Sequence, residues 1–220
     1  IVTSLGSVML PRVSNLLSLG NQKAVNKLHE MSFLVYNLVI FPMIAGILIV
    51  NKDFVNFFLG KDFQEARHAI AIMVFRMFFI GWTNIMGIQI LIPHNKNREF
   101  MLSTTIPAFF SVGLNILLIP PLGYVGASIV SVATEGLVWL IQLYFTSSYL
   151  KEIKILPSML KILAASLVMY GILYIIQPLL HFPSVVNVLI SALLGVLIYA
   201  GLVLMLRVLD FQELKSVFKK

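Results

Sequence analysis

Two ionisable residues stand inside otherwise apolar runs of this sequence, Arg76 and Glu135. A charge within a membrane-spanning segment is costly, so such residues are functional candidates by default. At 1.5 Å per helical residue, Arg76 falls roughly 12 Å and Glu135 roughly 18 Å from the outer ends of their segments. Those depths let guanidinium and carboxylate meet, and a deeply buried charge needs a partner. The pair reads as a structural ion pair or as part of a polar cavity, with Glu135 a candidate for coupling to a cation or proton. Uncharged polar residues extend the pattern. Ser128, Ser131, Glu135 and Gln142 recur at helical spacing and share one face. Thr104, Ser111 and Asn115 share another beside Pro107, and Arg76, Thr83 and Gly87 are nearly in line with Asn84 adjacent. Such faces on neighbouring helices suggest a common hydrophilic cavity. The alternative is helix packing, where Ser, Thr, Gly and Asn are frequent.

Covalent chemistry has no visible constellation. The sequence contains no GxxxxGK[ST] loop, no GxSxG and no HExxH. It has no cysteine, hence no disulfide, thiolate nucleophile or thiolate metal site. His29, His68, His94 and His181 are far apart and read as interfacial residues, not metal ligands. Neither an enzyme nor a metal or cofactor is expected. A membrane-embedded sugar polymerase or transferase is the rival from a different class, but it would carry a sizeable outer loop with catalytic residues.

The elements that must position Arg76 and Glu135 follow from composition. Of 220 residues, 59% are hydrophobic and 11% charged, against about 25% charged in a typical soluble domain. Lipid solvates such a surface and water does not. About 20 apolar residues cross the ~30 Å hydrocarbon core, and seven segments of that kind can be read: 1–19, ending at Gly20 as a helix cap, then 31–50, 68–93, 100–121, 123–149, 158–179 and 185–207. A span must satisfy its own backbone hydrogen bonds, and no period-2 barrel pattern appears, so the fold class is all-α, a polytopic membrane helical bundle. The net charge of +7 reflects cytoplasmic loops rather than nucleic-acid binding. Among the sixteen Lys and Arg, Lys52, Lys61 and Arg67 fall on one side and Arg76 inside a segment, while all the others fall opposite. The positive-inside rule then places loop 94–99 and the C-terminal tail in the cytoplasm. Asn51–Arg67, with Phe54, Phe57, Phe58 and Phe63 among charges, reads as an amphipathic stretch on the outer interface. The tail Val208–Lys220 reads either as a helix on the anionic cytoplasmic leaflet or as a solvated tail. The chain opens in mid-hydrophobic sequence with Ile1 and without a signal-peptide pattern. The expectation is a fragment lacking an N-terminal part.

Several stretches resemble the flippases of the MATE-like superfamily. Leu5 to Arg12 followed by Gly20-Asn21 is similar to their "LGxVxLPR" helix, and Phe57 to Phe63 to their "FFGxxF" element. Trp82 to Pro93, Asn115 to Pro120, Gly123 to Ser128 and Thr134-Glu135 are similar to the signature of capsule and O-antigen repeat-unit flippases. The order and spacing agree through the fifth segment. The resemblance implies the C-terminal lobe of a fourteen-helix, two-lobe transporter in the bacterial inner membrane, with both termini cytoplasmic. Residues 1–149 would be lobe helices eight to twelve, and 150–220 the terminal helix pair with its amphipathic tail. The implied function is flipping an undecaprenyl-pyrophosphate-linked oligosaccharide by alternating access, with membrane lipids and the absent N-terminal lobe as partners. Arg12 and Gln89 stand in the matched stretches and join Arg76, Glu135, Asn84, Asn115 and Ser131 as candidates for the cavity. The last two segments would line a groove for the lipid tail. A drug or cation antiporter of the same superfamily and a peptidoglycan-precursor flippase are the alternatives.

Overall fold

A computed structural model describes residues 2–180 and 182–208. The amphipathic tail beyond Val208 and His181 therefore lie outside the described residues. All described regular structure is helical: α1 (Val2–Ser18), α2 (Gln22–Phe58), a short 3₁₀ turn (Lys61–Phe63), α3 (Ala66–Met73), α4 (Arg76–Asn84), a π-helical segment (Ile85–Leu91), α5 (Asn97–Leu150), α6 (Leu156–Ile176), a second 3₁₀ turn and α7 (Ser184–Met205). The first boundary is the one the sequence signals. Gly20 adopts φ 68°, and the Asn21 N–H reaches back to the Leu16 carbonyl at 3.0 Å, the left-handed cap that glycine makes cheap.

Five helical stretches among the described residues are long and apolar enough to cross a membrane: Gln22–Phe58, Ala66–Leu91, Asn97–Leu150, Leu156–Leu179 and Ser184–Met205. The sequence segments number seven, and two differences explain the gap. The 17-residue α1 is short, and α5 joins two expected segments in one run of 54 residues. That run would measure about 81 Å if helical throughout, more than twice the ~30 Å hydrocarbon core. It is not helical throughout, because Gly123 has φ 53°, ψ −132°, just past Pro120 and Pro121.

The expected interfacial stretch 51–67 is corrected in its first half. Residues 51–58 continue α2 without a break, and the chain leaves the helix only at Leu59 and Gly60 (φ 88°). Asn51, Lys52 and Asp53 are polar but remain able to continue the backbone ladder, and Asn51 and Val55 are buried.

The chain forms two compact units. The first comprises residues up to Tyr36 together with Glu65–Ile155. Here α5 packs against α3, α4 and the π-helical segment, and α1 packs against α4 and the same segment. The second unit comprises Asn37–Gln64 and the chain from Leu156. Its α6 packs against α7, around a core of Ala45, Ile49, Met169 and Leu173. Pro42 sits inside α2 and has no N–H to give the Leu38 carbonyl four residues back. The Tyr199 hydroxyl of α7 donates to that carbonyl instead, at 2.8 Å.

Candidate functional site

Arg76 and Glu135 meet in the first unit. The Arg76 guanidinium donates to one carboxylate oxygen, Glu135 Oε1, from Nη2 at 2.9 Å and from Nε at 3.3 Å. Their side chains retain 38% and 20% exposure, so the pair is neither sealed in the core nor free on the surface. Arg76 opens α4, directly after a tightly wound turn at Val74–Phe75. The Tyr36 hydroxyl donates to the Met77 carbonyl beside it. The Tyr36 ring lies where a side chain on residue 81 would be. Only glycine permits that contact. An aromatic cluster adjoins the pair: Trp139 of α5 stands 5.7 Å from Phe79 and 6.2 Å from both Phe78 and Trp82, centroid to centroid.

Gln89 belongs to a separate buried group. Its side chain is completely buried, Ser32 Oγ donates to its Oε1 at 2.7 Å, and its Nε2 has no hydrogen-bond partner among the described residues. Its main-chain carbonyl faces His29 Nε2 at 3.0 Å. Pro93, four residues on, has no N–H, so this carbonyl lacks its α-helical donor. The His29 imidazole must therefore carry its proton on Nε2 to fill the role. His29 is 1% exposed, packed where this carbonyl needs a donor. His94 is half-buried, with Nδ1 at 2.7 Å from the Ile90 carbonyl and its ring 4.3 Å from Tyr149. Among the described residues no three His, Cys, Asp or Glu side chains are placed to hold a metal ion.

The remaining candidates divide. Asn84 is half-buried, and its Oδ1 has no hydrogen-bond partner among the described residues. Ser131 is half-buried on α5, one turn before Glu135. Asn115 lies half-buried in the stretch of α5 before Gly123, and Arg12 half-buried on α1. The polar faces mostly serve their own helices or the packing. Thr104 Oγ1 donates to Met101 O, Ser111 Oγ to Ala108 O, Thr83 Oγ1 to Ile80 O and Ser128 Oγ to Tyr124 O, at 2.8–3.0 Å. Gln142 is buried and donates to Ser103 Oγ at 3.1 Å. Ser32 and Tyr36 were not singled out from the sequence, and His29 was read only as an interfacial residue. Their signals were present, because His29 and Ser32 are one turn apart on α2 and Pro93 lies four residues after Gln89.

In the second unit, an apolar groove of about 660 Å³ runs along α2 and α7, lined by Pro42, Gly46, Met169, Gly195, Val196 and Tyr199 among others. Its lining is almost wholly hydrocarbon.

Residues 1–204 match the family model of the lipid II flippase MurJ. The chain belongs to the MurJ lipid II flippase family. It is therefore a multi-pass membrane protein of a family of transporters, not enzymes. The MurJ-family chain is 24% identical, over 99% of its length, to the "Uncharacterized membrane protein MJ1068" of Methanocaldococcus jannaschii, of which it covers 42%. It is 22% identical, over 98% of its length, to the "Probable low-salt glycan biosynthesis flippase Agl15" of Haloferax volcanii, of which it covers 46%. The chain thus spans less than half the length of these curated relatives. No solved structure matches it.

Proposed function

We propose that this chain is part of a flippase that carries a lipid-linked glycan across the membrane by alternating access. The family match over residues 1–204 carries this reading, and the flippase name of the Haloferax volcanii relative supports it. In the finer reading the chain supplies seven spans of a fourteen-helix protein. Residues 1–149 are helices of its C-terminal lobe and 150–220 its terminal pair, with the C-terminus in the cytoplasm and the N-terminal lobe as partner. The setting proposed is a bacterial inner membrane. The substrate proposed is an undecaprenyl-pyrophosphate-linked oligosaccharide repeat unit, as the motifs from Trp82 to Glu135 suggest. Lipid II is the second reading, favoured by the family model itself.

A polar head group cannot enter hydrocarbon without partners. Arg76, partly exposed and using only one carboxylate oxygen, is the cation of this chain best placed to meet such a group, with Glu135, Asn84 and Ser131 nearby. The apolar groove offers the lipid tail a surface that leaves no polar group unsatisfied. Flipping itself requires no covalent chemistry.

The test is reconstitution of the full-length protein in vesicles with fluorescent lipid-linked glycans. An undecaprenyl-pyrophosphate oligosaccharide and lipid II are offered separately, and flipping is read by an impermeant quencher. Accessibility of the oligosaccharide that rises with the protein supports the first reading, and transport of lipid II alone supports the second. Transport of neither, with efflux of cationic dyes, would reassign the protein to the antiporters.

A further inference from the structure

The helical run from Ala66 to Leu91 is wound unevenly. At its first joint, the N–H groups of Phe75, Met77 and Phe78 bond three residues back, to the carbonyls of Ile72, Val74 and Phe75, at 3.2–3.3 Å. That is the tight 3₁₀ spacing. At its second joint, Ile85–Leu91 is π-helical, and the Ile92 N–H reaches five residues back to Gly87 at 3.1 Å. Between the joints lies α4, nine residues carrying Arg76, Phe79 and Trp82. A 3₁₀ turn holds about 3.0 residues and an α turn 3.6, whereas a π turn holds more. The two joints therefore depart from α geometry in opposite senses. Winding released at one can be taken up at the other, so α4 can turn about its axis while α3 and the Pro93 end stay fixed.

The surroundings fit a pinned joint and a latched segment. Pro93 removes the α-helical donor for the Gln89 carbonyl, and His29 replaces it, which holds the π segment against resolving toward its C-terminal side. A Cβ on Gly87 would lie 2.5 Å from the Phe100 ring, so that segment also sits close on α5. The latch is the Arg76–Glu135 ion pair at 2.9 Å, aided by the Tyr36 hydroxyl on the Met77 carbonyl.

We infer that residues 76–84 form a cassette that turns about its own axis between an overwound and an underwound joint, and that the turn parts Arg76 from Glu135 as the protein changes state. This deepens the transport reading and rests on it. The cassette gives the ion pair a second arrangement without moving a whole helix through the membrane.

The experiment uses the full-length protein in a background without other cysteines, carrying Phe79→Cys and Gly136→Cys. A Cβ on residue 136 meets the Phe79 ring at an ordinary 3.6 Å, so a short, reductively cleavable thiol cross-linker spans the two sites in the position seen here. Cross-linking is expected to lower flipping by about tenfold or more, as for a step that gates turnover, with recovery on reduction. In a second arm, read with no transport at all, Pro93→Ala returns an N–H to the Gln89 carbonyl and lets the π segment resolve. Cross-link yield is then expected to fall several-fold. A cross-linked protein that flips at the parent rate overturns the cassette, and so does a folded Pro93→Ala variant with the parent yield. A parent protein that flips nothing overturns the transport reading alone, and the yield comparison still decides the cassette.

Discussion

The Arg76–Glu135 pair sits between two energetic regimes. Exposed ion pairs contribute about 0–1 kcal/mol, whereas breaking a buried pair by removing one partner costs about 3–5 kcal/mol. With 38% and 20% of the side chains exposed, and aromatic rings rather than water on one side, the loss should fall between these limits. Glu135→Gln or Arg76→Gln alone is expected to destabilise the protein by about 1–3 kcal/mol. The double variant should recover most of that loss, as measured by thermal unfolding in detergent. Strictly additive losses would show that the two residues are not coupled. Where the double variant folds but does not flip, the pair serves transport as well as stability.

At the scale of the element, a proline in or just after a helix removes the donor for the carbonyl four residues back, which another helix can then satisfy. Pro42 orphans Leu38, answered by Tyr199, and Pro93 orphans Gln89, answered by His29. These bonds tie helices together at defined heights. They also explain why a tyrosine and a histidine sit in apolar surroundings. Tyr199→Phe is expected to cost about 1–3 kcal/mol, the range for leaving a buried acceptor unpaired. The same change in a Pro42→Ala background should cost much less, because α2 then supplies its own donor. Equal losses of melting temperature in both backgrounds would refute the link between Pro42 and Tyr199.

At the scale of the whole molecule, orientation is the property most open to direct measurement. The charge asymmetry predicts that residue 95 faces the cytoplasm and residue 64 the opposite side. Asn95→Cys and Gln64→Cys in the full-length protein, in a background without other cysteines, should be labelled by an impermeant thiol reagent from opposite sides. Labelling of both from the same side would reverse the proposed topology. The measurement also bears on span count, since opposite faces require an odd number of crossings between residues 64 and 95.

Much of this protein was decided by composition and periodicity. An apolar chain with few charges must be solvated by lipid, and in lipid the helix is the local structure that satisfies its own backbone. The Gly20 cap, the break near Pro120–Gly123 and the possible meeting of Arg76 with Glu135 were legible for the same reason: each depends on local geometry or on depth along a helix. The structure decided what depends on partners distant in sequence. It turned the hydroxyls of Thr83, Thr104, Ser111 and Ser128 back to their own helices, because a hydroxyl can use a carbonyl three or four residues away when no better acceptor is near. It carried α2 through Asn51–Phe58, where the sequence suggested a separate interfacial stretch. It buried His29 beneath Gln89 because Pro93 leaves a carbonyl that only a neighbouring helix can reach. Sequence spacing fixes which face a residue occupies; what that face meets is set by packing.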